Sequence, residues 1–113
     1  MSRTPTELAQ AQLDAYNAHD LEAFLACYAE EVEIRNFPSG ELTCAGRDAM
    51  AERYGPMFAE KTDLHAALVK RVAHDAIVID EESVTGLRDD ETVTAVAMYE
   101  VHDDLIQNVW FVR

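Results

Sequence analysis

His65 and Arg71 stand six residues apart in one alternating stretch, and Asp80 and Glu82 stand two apart in the next. Side chains at even spacing on an extended chain point to the same side, so each pair shares a face of its strand. Brought together, the four make an acid–base site. His65 is the base, since an ordinary imidazole pKa of about 6.5 allows proton exchange near neutrality. Asp80 or Glu82 orients its ring, and Arg71 holds an anionic group. Register decides whether they meet, because a one-residue slip turns every side chain of a strand to the other face. With Val72 opposite Ala76 across a three-residue loop, Arg71 shares a face with Ile77 and Ile79. A turn of two or four residues instead sets Arg71 and His65 beside Asp80 and Glu82. The competing reading of these residues is an outward, solvated ion-pair row or a dimer contact.

A second group has the makings of a pocket wall. Val32, Ile34 and Asn36 alternate inward on one strand, which puts Asn36 at the mouth of any hollow or, alternatively, in bonds to the adjacent turn. Tyr54, Met57 and Phe58 recur at helical spacing as a roof, and Tyr99 and Trp110 stand in later strands as a wall. Small-molecule pockets are mostly apolar with a few polar groups; aromatic and Met residues at these spacings are more often plain core. His19, His74 and His102 fall in turns and are expected in solvent. No Cys or His spacing specifies zinc, the acidic runs Asp80-Glu81-Glu82 and Asp89-Asp90-Glu91 lack a hard-cation motif, and nothing calls for a cofactor.

The elements that must position these residues are legible. Thr4-Pro5-Thr6-Glu7 opens a helix with a cap, a first-turn proline and a capping box, and helical spacing carries it to about Asn17. Asp20 caps a second helix with the stripe Leu21, Phe24, Leu25 and Tyr28. A strand alternates over 32–37, Pro38-Ser39-Gly40 turns, and 42–45 returns. Gly46-Arg47-Asp48 starts a third helix, which Gly55-Pro56 should kink or interrupt. Four antiparallel strands follow at 64–72, 76–85, 92–101 and 105–112, joined at His74-Asp75, at 86–90 and at Asp103-Asp104. The order is that of an α+β layer, three helices on a curved, mainly antiparallel sheet.

The 113 residues fit one domain, 1–113. Nine Lys and Arg against 22 Asp and Glu give a net charge of −13, which disfavours nucleic acid, whose binding needs phosphates neutralised by cations, and anionic membrane surfaces likewise. No apolar run approaches the roughly 20 residues of a membrane span. The start has no secretory signal pattern, and two cysteines, Cys27 and Cys44, read as reduced thiols. A cytoplasmic location is expected.

Tyr16-Asn17-Ala18-His19-Asp20-Leu21-Glu22-Ala23-Phe24, Tyr28-Ala29-Glu30-Glu31-Val32-Glu33-Ile34, Gly46-Arg47-Asp48-Ala49-Met50, Tyr99-Glu100-Val101 and Leu105-Ile106 occur in this order. Together they resemble the SnoaL-like, NTF2-like superfamily, which includes ketosteroid isomerase, polyketide cyclases and limonene epoxide hydrolase. The resemblance implies a cone-shaped fold around a hollow and a homodimer paired through the sheet. Ketosteroid isomerase moves a proton with an Asp base and an oxyanion hole of Tyr and protonated Asp. Those positions fall here on Asn36, Gln12 and Ala97, and an amide cannot take the base's proton. The Asp-Arg-Asp arrangement of limonene epoxide hydrolase is not reproduced around Arg71, since Ala73 follows it. Three functions stay open: an acid–base enzyme of isomerase, cyclase or dehydratase type on a small apolar molecule; a non-catalytic binder of a small ligand or peptide; and a dimeric interaction domain.

Overall fold

Reciprocal capping fixes where the chain first becomes helical. In the computed structural model, which describes residues 3–113, α1 spans Pro5–Asn17. The Glu7 N–H donates to Thr4 Oγ1 at 3.1 Å and the Thr4 N–H donates to Glu7 Oε1 at 2.9 Å, so two otherwise unpaired donors of the first turn are satisfied. Asp20 Oδ1 accepts the Ala23 N–H and opens α2, Leu21–Leu25. That helix is shorter than its stripe predicts. Tyr28 already begins β1, Tyr28–Phe37, where it pairs with Ile106. A residue four after Phe24 suits either period, and cross-strand pairing decides the matter.

After β2, Leu42–Ala45, comes α3, Arg47–Glu60. It is not interrupted at Gly55-Pro56. Proline removes a single donor, and Tyr54 and Phe58 are buried on either side of it. Gly55 faces α2, where a Cβ would meet Leu21 Cδ2 at 3.4 Å, an ordinary contact. The strands β3, His65–His74, β4, Ile77–Arg88, β5, Glu91–His102, and β6, Leu105–Val112, complete a six-stranded mixed sheet. Its order is β2-β1-β6-β5-β4-β3, with β1 and β6 parallel and every other pair antiparallel. The segment 86–90, expected as a loop, is mostly strand, leaving Asp89-Asp90 as the turn. Gly86 enables this: its φ is +77°, and a Cβ there would collide with the Asp63 carbonyl.

The helices cover one face of the sheet. Leu8, Phe24 and Met50 bury against Val32, Ile34, Val78, Ile106 and Val109, none more than 2% exposed; burying each such side chain contributes about 1.5–3 kcal/mol. An aromatic cluster locks the helices together, with Phe24 and Tyr54 centroids 4.9 Å apart and the Tyr16 and Phe58 rings edge-on at 5.4 Å. His19, expected in solvent, stacks on Phe58 at 5.7 Å, and its Nε2–H donates to the Leu64 carbonyl at 2.8 Å. At the open edge of β3, Asn17 imitates a neighbouring strand. Its amide nitrogen donates to the Ala66 carbonyl at 2.9 Å, and its oxygen accepts the Ala66 N–H at 2.8 Å. Both cysteines are free and buried. No helix among the described residues is long and apolar enough to cross a membrane.

Candidate functional site

The hairpin of β3 and β4 closes on the two-residue turn Asp75-Ala76, with His74 opposite Ile77. This register sets Arg71 directly across from Asp80. It does not bring His65 with it. Leu68 faces Glu82 while Lys70 faces Glu81, so Val69 is an extra residue, a bulge that shifts the parity of the strand. Ala66 is buried opposite Val84, while His65, opposite Thr85, is exposed on the far face. The six-residue spacing that predicted a shared face counts one bulged residue too many. His65 and Asp80 lie on opposite faces, and the expected pairing is corrected.

Arg71 and Asp80 make a closed unit. Arg71 Nε donates to Asp80 Oδ1 at 2.7 Å, Nη2 to Oδ2 at 3.0 Å, and Nη1 to Gln10 Oε1 on α1 at 2.9 Å. Asp80 is wholly buried. Both its oxygens are bound to one guanidinium, and Arg71 turns three of its donors to Asp80 and Gln10 rather than to a ligand's anion, the role its spacing suggested. Neither residue lines the hollow.

The hollow lies between the helices and the concave row of the sheet, with a volume of about 580 Å³. Space arises where β5 presents Ala95 opposite Glu82. Around that gap stand Tyr16 and Leu13 from α1, Tyr54 and Met57 from α3, and Tyr99 and Phe111 from the sheet. The Glu82 carboxyl opens onto it. Glu82 is 7% exposed, and among the described residues it has no hydrogen-bond partner. Burial, assisted by the nearby Asp80 charge and only partly offset by Arg71, pushes its pKa up to about 7. A carboxyl in this state exchanges a proton near neutrality, which is what the sequence assigns to His65.

Tyr99 supplies a complementary group. Gln12 Nε2 donates to the Ala9 carbonyl at 3.0 Å and to Tyr99 Oη at 3.1 Å, while Gln12 Oε1 accepts from Tyr28 Oη at 3.0 Å. The Ala9 carbonyl can only accept, and this fixes which way the Gln12 amide points. Tyr99 therefore receives a hydrogen bond, and its own O–H has no acceptor among the described residues. Burial, first of all, holds the Tyr99 and Tyr28 hydroxyls well above the ordinary tyrosine range, so both remain neutral donors. Sequence reasoning named Gln12 only as a position of the resemblance. The available signal was a lone amide on the buried stripe of Leu8, Ala9 and Leu13.

The other expected residues divide. Tyr54 and Asn36 line the hollow, though Asn36 spends its amide on the neighbouring turn, donating to Glu41 Oε1 at 3.0 Å. Phe58 is core, enclosed by Tyr16, Phe24 and Tyr54. Trp110 pairs with Met98 and Arg35 on the outer face, and Phe111 points inward instead. A bulge in the β5–β6 ladder near Val101 sets that parity.

A SnoaL-like domain pattern matches residues 9–109. The chain belongs to the SnoaL-like family. A cystatin-fold protein from Novosphingobium aromaticivorans superposes with a TM-score of 0.87 at 23% identity, covering 99% of this chain and 100% of that one. A ketosteroid isomerase candidate from Kribbella flavida gives 0.77 at 24% identity, covering 96% and 76%. IdmH, a polyketide cyclase candidate from Streptomyces antibioticus, gives 0.78 at 16% identity, covering 96% and 91%. At these identities the likeness shows the fold. No curated protein matches the chain. This SnoaL-like chain thus places its titratable carboxyl on β4, whereas the resemblance puts the isomerase base on β1, at Asn36.

Proposed function

We propose that this SnoaL-like domain, a cone around one hollow, is an acid–base enzyme that moves a proton on a small, largely apolar carbonyl compound. The observation that carries this reading is Glu82, a buried carboxyl that opens onto the hollow and has no hydrogen-bond partner among the described residues. Glu82 acts as the base. It removes a proton from a carbon next to the carbonyl; the C–H electron pair moves toward the carbonyl oxygen, giving an enolate. The Tyr99 hydroxyl, itself hydrogen-bonded by Gln12, donates to the developing oxyanion, the position where a preorganised donor contributes most. Returning the proton from Glu82 to a conjugated carbon completes an isomerisation with no atom gained or lost. Asp80 and Arg71 act on Glu82 rather than on the substrate, Asp80 by disfavouring a second nearby anion.

The test is conjugation of a panel of β,γ-unsaturated ketones, followed by ultraviolet absorbance, with wild type and Glu82→Gln. Positioned acid–base groups are worth about 100- to 10,000-fold in rate, and a loss of that size is expected on substitution. In wild type kcat/KM should rise with pH through about 7, where Glu82 ionises. Turnover that survives Glu82→Gln, or no turnover on any ketone, would overturn the reading and leave a ligand-binding domain.

We also propose that a second copy of the chain covers the outer face of the sheet. The support is a row running across neighbouring strands, Val72, Ile79, Met98 and Trp110. Val72 is 61% exposed and Val69 54%, more apolar surface than a lone sheet face needs to show. The domain is expected to work in the cytoplasm as such a dimer.

A further inference from the structure

The distribution of charge around the hollow departs from that of the rest of the chain. Of 22 acidic residues, Glu82 alone lines it, while three of the nine cations do so: Arg53, Arg88 and Arg113. All three are exposed, whereas Glu82 is buried. The arginines therefore mark the mouth and the carboxyl marks the interior. Elsewhere the guanidinium groups of Arg35 and Arg71 are neutralised by Glu33 and Asp80, and that of Arg47 by no carboxylate among the described residues. At the mouth no carboxylate does this among the described residues. Arg53 donates once, to the Thr43 carbonyl at 3.1 Å, and Arg113 lies over the Phe111 ring at 5.4 Å. Burial raises the Tyr54 pKa, and Arg53 and Arg113 both act against that rise.

Unpaired guanidinium groups around an apolar cavity are suited to a carboxylate, which they can bind through parallel N–H donors. On a surface of net charge −13 an anion would be repelled without them. We infer that the molecule entering the hollow is amphipathic, with a carboxylate held at the mouth by Arg53, Arg88 and Arg113 and an apolar body reaching inward to Glu82 and Tyr99. This rests on the reading of the hollow as a ligand site and adds the class of ligand. It also separates two anions along one axis: the carboxylate binds at the rim, far from the base that must itself ionise.

Two fluorescent probes of the same body test it: 1-pyrenebutyrate and its uncharged methyl ester, each titrated into the intact protein. Pyrenebutyrate should bind at least ten-fold more tightly than the ester, and its affinity alone should fall as salt rises, since exposed charges are screened. Replacing Arg53, Arg88 and Arg113 together with Gln should remove the difference and leave the ester unchanged. All three are surface residues, and circular dichroism would check that the fold persists. Equal binding of acid and ester by wild type, or a preference that survives the triple replacement, overturns the carboxylate while leaving proton transfer by Glu82 intact. Failure of both probes to bind overturns the hollow as a ligand site, and with it both proposals.

Discussion

Glu82 differs from an ordinary surface carboxylate in what it lacks: water on most sides and, among the described residues, a hydrogen-bond donor. Its pKa of about 7, against an ordinary 4.5, ties folding to pH in the direction opposite to a salt-bridged acid. Between those values the folded chain holds a proton that the unfolded chain releases. The stabilisation is therefore fully present below about pH 4.5 and is lost as pH rises through 7. A difference of roughly 2.5 units corresponds to on the order of 3 kcal/mol. Glu82→Gln carries no such proton. Denaturant unfolding at pH 4.5 and pH 8 should show wild type losing about that much stability relative to Glu82→Gln. Parallel pH profiles for the two proteins would mean that Glu82 titrates as a solvated group. Composition alone could not single out this residue among 22 acids. Its inward position follows from alternation along β4, but its isolation depends on Ala95 opposite it, on another strand.

At the scale of elements, local chemistry was readable and ladder parity was not. The capping box of α1, the Asp20 cap and the turns at Asp75 and Asp103 rest on residues close in sequence, and the chain declares them. The bulge at Val69 is declared by nothing nearby, because it reflects how β3 fits both β4 and the Asn17 clamp from α1. That one residue moves His65 to solvent while leaving Arg71 on Asp80. The bulge near Val101 does the same in β6, exchanging Trp110 for Phe111 at the hollow. His65 is misplaced by counting by two across a ladder that skips, whereas at 110–111 two aromatics stand side by side and only the ladder decides which one faces the hollow. The outer row that Trp110 joins gives a prediction for the sheet. Trp110→Glu, facing away from the hollow, should convert a dimer to a monomer in sedimentation experiments without emptying the core. A wild-type chain that sediments as a monomer would remove the second copy from the account.

Across the whole molecule, one face of the sheet lines the hollow and the other carries the row of Val72, Ile79, Met98 and Trp110. Net charge describes neither. The −13 total is carried mainly by residues outside the hollow, while the rim carries arginines and the interior one protonatable acid. Family membership sets the architecture, and within it the buried carboxyl that lines the hollow stands on β4. The central claim is that Glu82 holds its proton up to neutral pH inside the hollow. Carbon-13 NMR of the glutamate side-chain carboxyls, with Glu82→Gln assigning the signal, tests it directly in the unliganded protein. The account predicts that the Glu82 signal titrates near pH 7. A midpoint near the ordinary 4.5 would contradict it and leave the hollow without a base.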